Sequence, residues 1–248
     1  MKIKNPHDVD YFIQELLKIS TKKEFNVHQL GSVGNDPIYL IENGKREYCS
    51  NILIAAGFHG DEPAGPWSIL SFLSNLNTKT IENINLSFLP PVNPTGFRVC
   101  RRYNNCNENP NRGFIKGHPS KEGKILLDNI EMIVERSQDG FLSLHEDIDK
   151  EHFFLYAHEN NDEPGIFSFR IRDVATKYFP LHPDGNDPDY GVIKEGIIFN
   201  HSDGSFEDLM FRKGVLQVAC IETPGKRDLH ERVLANVMII NSFIGGSN

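Results

Sequence analysis

The sequence predicts an α/β fold, a single α/β/α sandwich on a mixed sheet, and two observations carry this prediction. Strand-like and helix-like hydrophobic patterns alternate along the 248 residues, as in sheets that carry helices on their faces. No linker or repeat interrupts the alternation, so we expect one domain over 1–248. One apolar run, 51–57, ends just before His59 and Glu62. Ligands of open α/β sheets bind beyond the carboxyl ends of strands, so we expect the functional site there.

The same periodicity gives the individual elements. Apolar residues at helical spacing predict helices, and short apolar runs predict strands. The expected helices cover 8–19, 63–76, 120–136, 165–178, 204–212 and a last segment from Leu229 to Ile244. The expected strands cover 25–33, 37–42, 51–57, 86–89, 141–145, 153–156, 192–199 and 215–221. The stretch 92–118 is rich in turn-forming residues and arginine, which predicts a long functional loop.

Composition narrows the class of protein. Hydrophobic residues make up 39% and charged residues 24% of the chain, as in soluble globular proteins. The formal net charge of −8 disfavours binding to nucleic acid, because the phosphate backbone would repel the protein. No run has transmembrane length or the form of a signal peptide, so we expect a cytoplasmic protein without a membrane partner. The four cysteines show no CxxC spacing, which favours free thiols, although a pair between Cys100 and Cys106 stays open.

Two strand ends carry residues that suit a zinc ion. Catalytic zinc in hydrolases is commonly held by two histidines and one glutamate, with a fourth position open. His59 and Glu62 offer two such ligands within one turn, and His145 closes the strand 141–145. A lone histidine at a strand end is more often structural. The combination of all three residues favours a metal site over that interpretation.

Further residues fit hydrolysis at such a site. Hydrolysis needs a general base and positive charge near the developing oxyanion. Glu222 follows the apolar strand 215–221 and faces either the crevice or solvent; two other strand ends with ligands favour the crevice. Arg102 and Arg112 lie in the turn-rich loop. They could bind an anionic substrate or form a surface cluster, and the loop sequence alone does not separate these alternatives.

The ordered set of these residues resembles the zinc metallocarboxypeptidases of the carboxypeptidase A type. The set is His59-x-x-Glu62, the turn Asn93-Pro94-Thr95-Gly96-Phe97, Arg102, Asn111-Arg112, His145 and Glu222. The resemblance runs over about residues 50–225 and is nearest to small bacterial members such as the murein-peptide amidases. HxxE alone is a weak signal, whereas six elements in the same order are specific.

The resemblance implies both a fold and an activity. It implies an α/β/α sandwich around a mixed, about eight-stranded sheet, and a hydrolase that uses one zinc ion. His59, Glu62 and His145 would be the zinc ligands, and Glu222 would be the general base.

The resemblance also assigns substrate contacts. It implies that Arg102 polarises the scissile carbonyl and that Asn111 and Arg112 bind the terminal carboxylate, the arginine through paired hydrogen bonds. Asn109 stands where related enzymes have an acidic residue that steadies a ligand histidine.

Two further positions depart from the family. Asp61 stands where digestive members have arginine, which favours a substrate with an amino group nearby, such as a cell-wall peptide. The family's lid tyrosine would fall near 199–201, where there is none. His201 is the candidate to replace it as a hydrogen-bond donor to the substrate.

Three functions remain as hypotheses. The first is a metallocarboxypeptidase that acts on a small or unusual peptide. The second is an N-acyl amino-acid deacylase of the succinylglutamate desuccinylase/aspartoacylase type. Those enzymes usually continue into a β-rich domain, whereas only 223–248 follow Glu222 here, which favours the peptidase. The third is a non-catalytic binding module, which the full set of ligands and the base disfavours.

Overall fold

The computed structural model describes residues 3–188 and 190–245. The strands are β1 (Asn26–Val33), β2 (Asp36–Glu42), β3 (Ser50–Ala56), β4 (Ile84–Leu89), β5 (Gly140–Asp147), β6 (Phe154–Glu159), β7 (Gly185–Asp187), β8 (Gly191–Ile193), β9 (Ile197–Phe199) and β10 (Gln217–Pro224). The helices are α1 (Val9–Lys22), α2 (Ala64–Asn75), α3 (Pro94–Arg98), α4 (Lys121–Asp128), α5 (Ile130–Glu135), α6 (Ile166–Ala175), α7 (Phe206–Arg212) and α8 (Leu229–Gly245).

Eight of these strands form one mixed sheet, in the order β1-β2-β4-β3-β5-β10-β6-β9. The three adjacent strands β3, β5 and β10 run parallel. Their carboxyl ends therefore meet at one edge of the sheet, and the polar residues at those ends share one crevice.

Helices cover both faces of the sheet. In β3, Ile52 and Ile54 pack into one apolar cluster with α1, α2, α6 and α8, whereas Leu53 and Ala55 pack into a second cluster with α4, α5 and α7. Successive side chains of a strand point to opposite faces, so a central strand between two layers is buried throughout. The predicted α/β/α fold on a mixed, eight-stranded sheet is confirmed.

The structure differs from the predicted elements in three places. The helix expected over 120–136 is two helices, because α4 ends at Asp128 and the next residue, Asn129, donates a side-chain hydrogen bond to the Ile125 carbonyl (2.8 Å). The strand expected over 192–199 is broken by a tight turn at Glu195 and Gly196, both of which have positive φ. The loop 92–118 contains the short helix α3, which Asn93 caps through Gly96 N (2.9 Å).

All four cysteines are free thiols. Within the described ranges, no helix combines the length and apolar character needed to cross a membrane.

Candidate metal centre and substrate cavity

The turn after β3 fixes the first two candidate ligands. Gly57 leaves the strand with a φ of +72°, a conformation that L side chains rarely adopt. Gly60 packs so closely on the α3 turn that an added Cβ would lie 2.0 Å from the carbonyl carbon of Gly96. The turn that carries His59 and Glu62 therefore packs directly against the backbone of the Asn-Pro-Thr-Gly turn, and each turn fixes the position of the other.

His59, Glu62 and His145 come together in one buried group. Their ligand atoms lie within 4.8 Å of one another. Glu62 bridges the histidines: one carboxylate oxygen is 2.6 Å from Nδ1 of His59, and the other is 2.9 Å from Nδ1 of His145. Two imidazole nitrogens and a carboxylate, all aimed at the same point, are the donor set of catalytic zinc sites. The residues present therefore fit a zinc ion.

The electrostatics of this group suit a cation. Burial would raise the pKa of Glu62, but the two histidines hold it at about 2, so the carboxylate stays ionised. Burial lowers the pKa of His59 despite Glu62. Burial would also lower the pKa of His145, but Glu62 and Glu207 raise it well above the ordinary value.

The far side of the His59 ring faces an amide. Nε2 of His59 lies 3.3 Å from Oδ1 of Asn109, and the same oxygen accepts a hydrogen bond from Asn111 N (2.9 Å). The backbone donor identifies this atom as the carbonyl oxygen, so His59 must carry its proton on Nε2. Nδ1 would then have its lone pair available for a metal ion held together with Glu62. The amide of Asn109 thus contacts the ligand histidine without adding a charge.

The far side of the His145 ring faces a carboxylate. Nε2 of His145 is 3.4 Å from Glu207, which is 2% exposed and is the second residue of α7. The other Glu207 oxygen accepts a hydrogen bond from Nδ2 of Asn111 (3.0 Å), and Asn111 Oδ1 accepts one from Phe206 N (2.9 Å). Asn111 therefore has both ends of its amide engaged by the start of α7.

A second group of metal-type ligands, His145, Glu207 and Cys220, shares His145 with the first. One imidazole could serve both groups only by losing both of its protons. A single zinc site with Glu207 behind the His145 ring at 3.4 Å is the simpler arrangement, since His145 then binds one ion.

Glu222 lies where the sequence predicted it. It pairs in register with His145 across β5 and β10 and is half-buried at the cavity wall. Burial, reinforced by Glu62 and Asp147 and opposed by His145 and Arg102, raises the pKa of Glu222 to about 8. A carboxyl group with such a raised pKa is a competent proton acceptor and donor near neutral pH.

The two arginines also reach this site. Arg102 NH1 is 3.3 Å from Glu62, and its side chain is 43% exposed. Arg112 donates to the carbonyl of Asn111 (2.7 Å) and forms an ion pair with Asp203 (2.9 Å). Both guanidinium groups line the cavity and keep donors free for an anion.

The cavity has a volume of about 350 Å³, the size of a small ligand site. It is lined by His59, Arg102, Asn111, Arg112, His145, Glu146, Asp147, Ile148, Asp149, Tyr156, His158, Tyr190, His201, Asp203, Ser205, Glu207, Cys220 and Glu222. His201 belongs to this lining, and its ring lies 5.9 Å from that of Tyr156.

Asp61 does not belong to this lining. It is half-buried with one carboxylate oxygen that lacks a hydrogen-bond partner among the described residues. Burial and then the charge of Glu62 raise the pKa of Asp61, whereas His59 and Arg102 oppose the rise. A contact between Asp61 and a substrate stays a prediction.

Several residues of the site were not predicted. Tyr156 and Tyr190 supply the aromatic surfaces of the cavity, and the Tyr190 hydroxyl donates to Asp147. The sequence pattern predicts no role for Glu207. Its contact with Asn111 joins residues 96 positions apart, and no local pattern carries that information.

Comparison with known proteins agrees with this geometry. A sequence model of the succinylglutamate desuccinylase/aspartoacylase catalytic domain matches residues 48–171, half of the 248 residues. A candidate metallopeptidase of Shewanella amazonensis SB2B, known as a crystal structure, is 40% identical with a TM-score of 0.94. That match covers 98% of this chain and 94% of the other.

The chain belongs to the zinc carboxypeptidase-like family related to succinylglutamate desuccinylase and aspartoacylase. The resemblance inferred from the sequence is thereby confirmed, and the family is one of zinc-dependent hydrolases.

More distant proteins match in part. Carboxypeptidase 2 of Trichophyton tonsurans is 37% identical over 71 residues, which is 26% of this chain and only 13% of the fungal protein. A metallo-carboxypeptidase of Pseudomonas aeruginosa, in complex with (2-guanidinoethylmercapto)succinic acid, is 16% identical with a TM-score of 0.70. The match covers 94% of this chain and 68% of that one, and at this identity it shows the shared fold alone.

Proposed function

We propose that the protein is a zinc-dependent hydrolase that cleaves a peptide or amide bond next to a free carboxylate, as a metallocarboxypeptidase does. One observation carries the proposal: the two histidines of a buried His-Glu-His group, the carboxyl group of Glu222 and two arginines line the same cavity. His59, Glu62 and His145 would hold the metal. A bound zinc ion would supply Lewis acidity and a water of lowered pKa.

The chain's own residues divide the remaining work. Glu222 takes the proton from the attacking water and delivers it to the leaving nitrogen, which its raised pKa and its place beside His145 support. Arg102, whose guanidinium lies 3.3 Å from Glu62, stabilises the negative charge that develops on the carbonyl oxygen.

The substrate carboxylate binds to Arg112. Its ion pair with Asp203 is partly exposed, and an incoming carboxylate competes for the same guanidinium. Asn111, whose Nδ2 lies 3.0 Å from Glu207 and 3.3 Å from Nε2 of His145, lies beside Arg112 as a second contact for the carboxylate. His201, at the cavity wall, is a further candidate contact. A volume of about 350 Å³ favours a short peptide or an acylated amino acid.

The decisive experiment is an assay of the zinc-loaded protein on a panel of short peptides and N-acyl amino acids. We expect release of a C-terminal amino acid, loss of activity with a chelator and recovery with zinc. If the zinc-loaded protein cleaves no member that has a free carboxylate, the proposal is wrong.

The second candidate is an N-acyl amino-acid deacylase, which the match to the desuccinylase/aspartoacylase domain favours. The same panel separates the two functions. A deacylase releases acetate or succinate from acylated amino acids and leaves peptides intact.

A further inference from the structure

Glu207 is a buried carboxylate that the proposed reaction does not use. It is 2% exposed, and burial of an ionised group is costly unless charged or hydrogen-bonding partners compensate it. Its two oxygens face two different parts of the proposed site. One lies 3.4 Å from Nε2 of His145, and the other accepts from Nδ2 of Asn111 at 3.0 Å.

The position of Glu207 is itself rigidly set. The preceding Phe206 is fully buried, with its ring 5.6 Å from Phe58 and 5.7 Å from Phe141. Phe58 in turn stacks on the His145 ring, with centroids 5.6 Å apart and an angle of 16° between the planes. The stack fixes the plane of the imidazole, and the Glu207 carboxylate lies on the Nε2 side of the ring at 3.4 Å.

The same turn of α7 also fixes Asn111. Phe206 N donates to Oδ1 of Asn111, while Glu207 accepts from Nδ2. The amide therefore cannot rotate by half a turn without losing both hydrogen bonds. Nδ2 of Asn111 also lies 3.3 Å from Nε2 of His145, so the amide is held between Glu207 and the ligand histidine at the cavity wall.

We propose that Glu207 is a positioning residue that holds the His145 ring in the orientation needed for zinc and locks the Asn111 amide beside the carboxylate subsite. This inference rests on the proposed function, since it assumes a zinc ion at His59, Glu62 and His145. A carboxylate behind a ligand histidine orients the ring and increases its basicity. One buried side chain thereby joins the metal site to the carboxylate subsite.

The test is the zinc affinity of the metal-free protein, measured with zinc alone by competition against a chromophoric chelator. Glu207→Gln keeps the size and removes the charge, and we expect its dissociation constant to rise by about 10–100-fold. The control is Asp208→Asn, which removes a carboxylate from the adjacent position of α7. Asp208 contacts Ser202, Gly204 and Arg212, outside the ligand group.

The outcomes separate the possibilities. Zinc affinity that is reduced in Glu207→Gln and unchanged in Asp208→Asn supports the inference, and equal affinities of the two variants would overturn it. If circular dichroism shows that Glu207→Gln is unfolded, the zinc affinity of Glu207→Asp is measured instead. This variant keeps the negative charge but has a side chain one methylene shorter, so its carboxylate lies farther from His145 and Asn111. We expect weakened zinc binding there, and wild-type affinity would overturn the inference. Failure of the wild-type chain to bind zinc would overturn the proposed function, and this inference with it.

Discussion

The two histidines of the candidate metal centre differ in what lies behind each ring. Behind His59 is the amide of Asn109, part of the long loop between α3 and α4, at 3.3 Å. Behind His145 is the buried carboxylate of Glu207 at 3.4 Å. An amide oxygen fixes the tautomer without adding charge, whereas a carboxylate fixes it and also stabilises a positive charge.

The two ligand histidines are therefore supported in different ways, one by a neutral amide and the other by a buried carboxylate. The loop side provides neutral orientation and exposed guanidinium groups, where an incoming substrate has to bind. The sheet side provides buried charge and rigid packing, where the base lies beside its histidine. The experiments below test this division, starting with the largest expected effect.

The largest effect is expected on the sheet side, at Glu222. Glu222→Gln removes the proposed proton acceptor, so we expect kcat/KM to fall by about 10²–10⁴-fold while zinc content stays the same. Steady-state kinetics with metal analysis measure both quantities. Glu231→Gln, on the exposed face of α8, is the control, and full activity of Glu222→Gln would refute the assignment of the base.

On the loop side, substitutions of Arg102 and Arg112 should affect different kinetic parameters. Arg102→Gln removes a donor to the developing charge, so kcat should fall by about 10²–10³-fold. Arg112→Gln should mainly raise KM, because it holds the carboxylate in both ground and transition state. An identical pattern for both variants would show that the two roles are not distinct.

Replacing Arg102 should also shift the pH profile of kcat/KM. Its charge opposes the rise in the pKa of Glu222, and the base works only when deprotonated. Activity is therefore lost as the pH falls through this pKa, and Arg102→Gln should move that acidic limb to higher pH. An unmoved limb, measured as kcat/KM against pH, would mean that another group titrates.

The metal-free protein should show the same asymmetry in its stability. His145→Ala leaves both Glu62 and Glu207 without their shared partner, and loss of one member of a buried ion pair costs roughly 3–5 kcal/mol. His59→Ala should cost less, because Glu62 keeps His145 and Arg102, and Asn109 is neutral. Urea unfolding after removal of metal gives the two free energies.

The pH dependence gives the sign of this effect. Because the pKa of His145 is raised in the folded state, its contribution is complete below the unfolded value and is lost as the pH rises through the folded value. The difference in free energy of unfolding between His145→Ala and His59→Ala should therefore become smaller at alkaline pH. Equal destabilisation by both substitutions at acidic pH would contradict the asymmetry.

The smallest effect should come from placing a carboxylate behind both ligand histidines. Asn109→Asp places a carboxylate behind His59, and we expect zinc to bind up to about tenfold more tightly. Asn107→Asp is a matched control, since Asn107 contacts Arg101 at the surface. If both substitutions leave zinc affinity unchanged, charge behind His59 does not influence the metal.

The order of elements and the ligand-type residues could be predicted from the sequence, because both depend on short-range information. Hydrophobic periodicity identifies strands and helices, and a strand end followed by His-x-x-Glu marks the crevice of an α/β sheet. The broken strand at Glu195 and Gly196 was missed, because a tight turn with positive φ at a glutamate has no strong sequence signal.

What only the tertiary structure decided is which groups stand behind the ligands and which face the cavity. Asn109, which the sequence places in a turn-rich loop, lies behind the His59 ring at 3.3 Å. Glu207 had no assigned role, yet it contacts Asn111 and His145, which lie far from it in the chain. The sequence determined the donors because residue type limits chemistry. The fold determined their partners, because the register of β5 and β10 and the packing of α7 on Phe58 depend on contacts between distant residues.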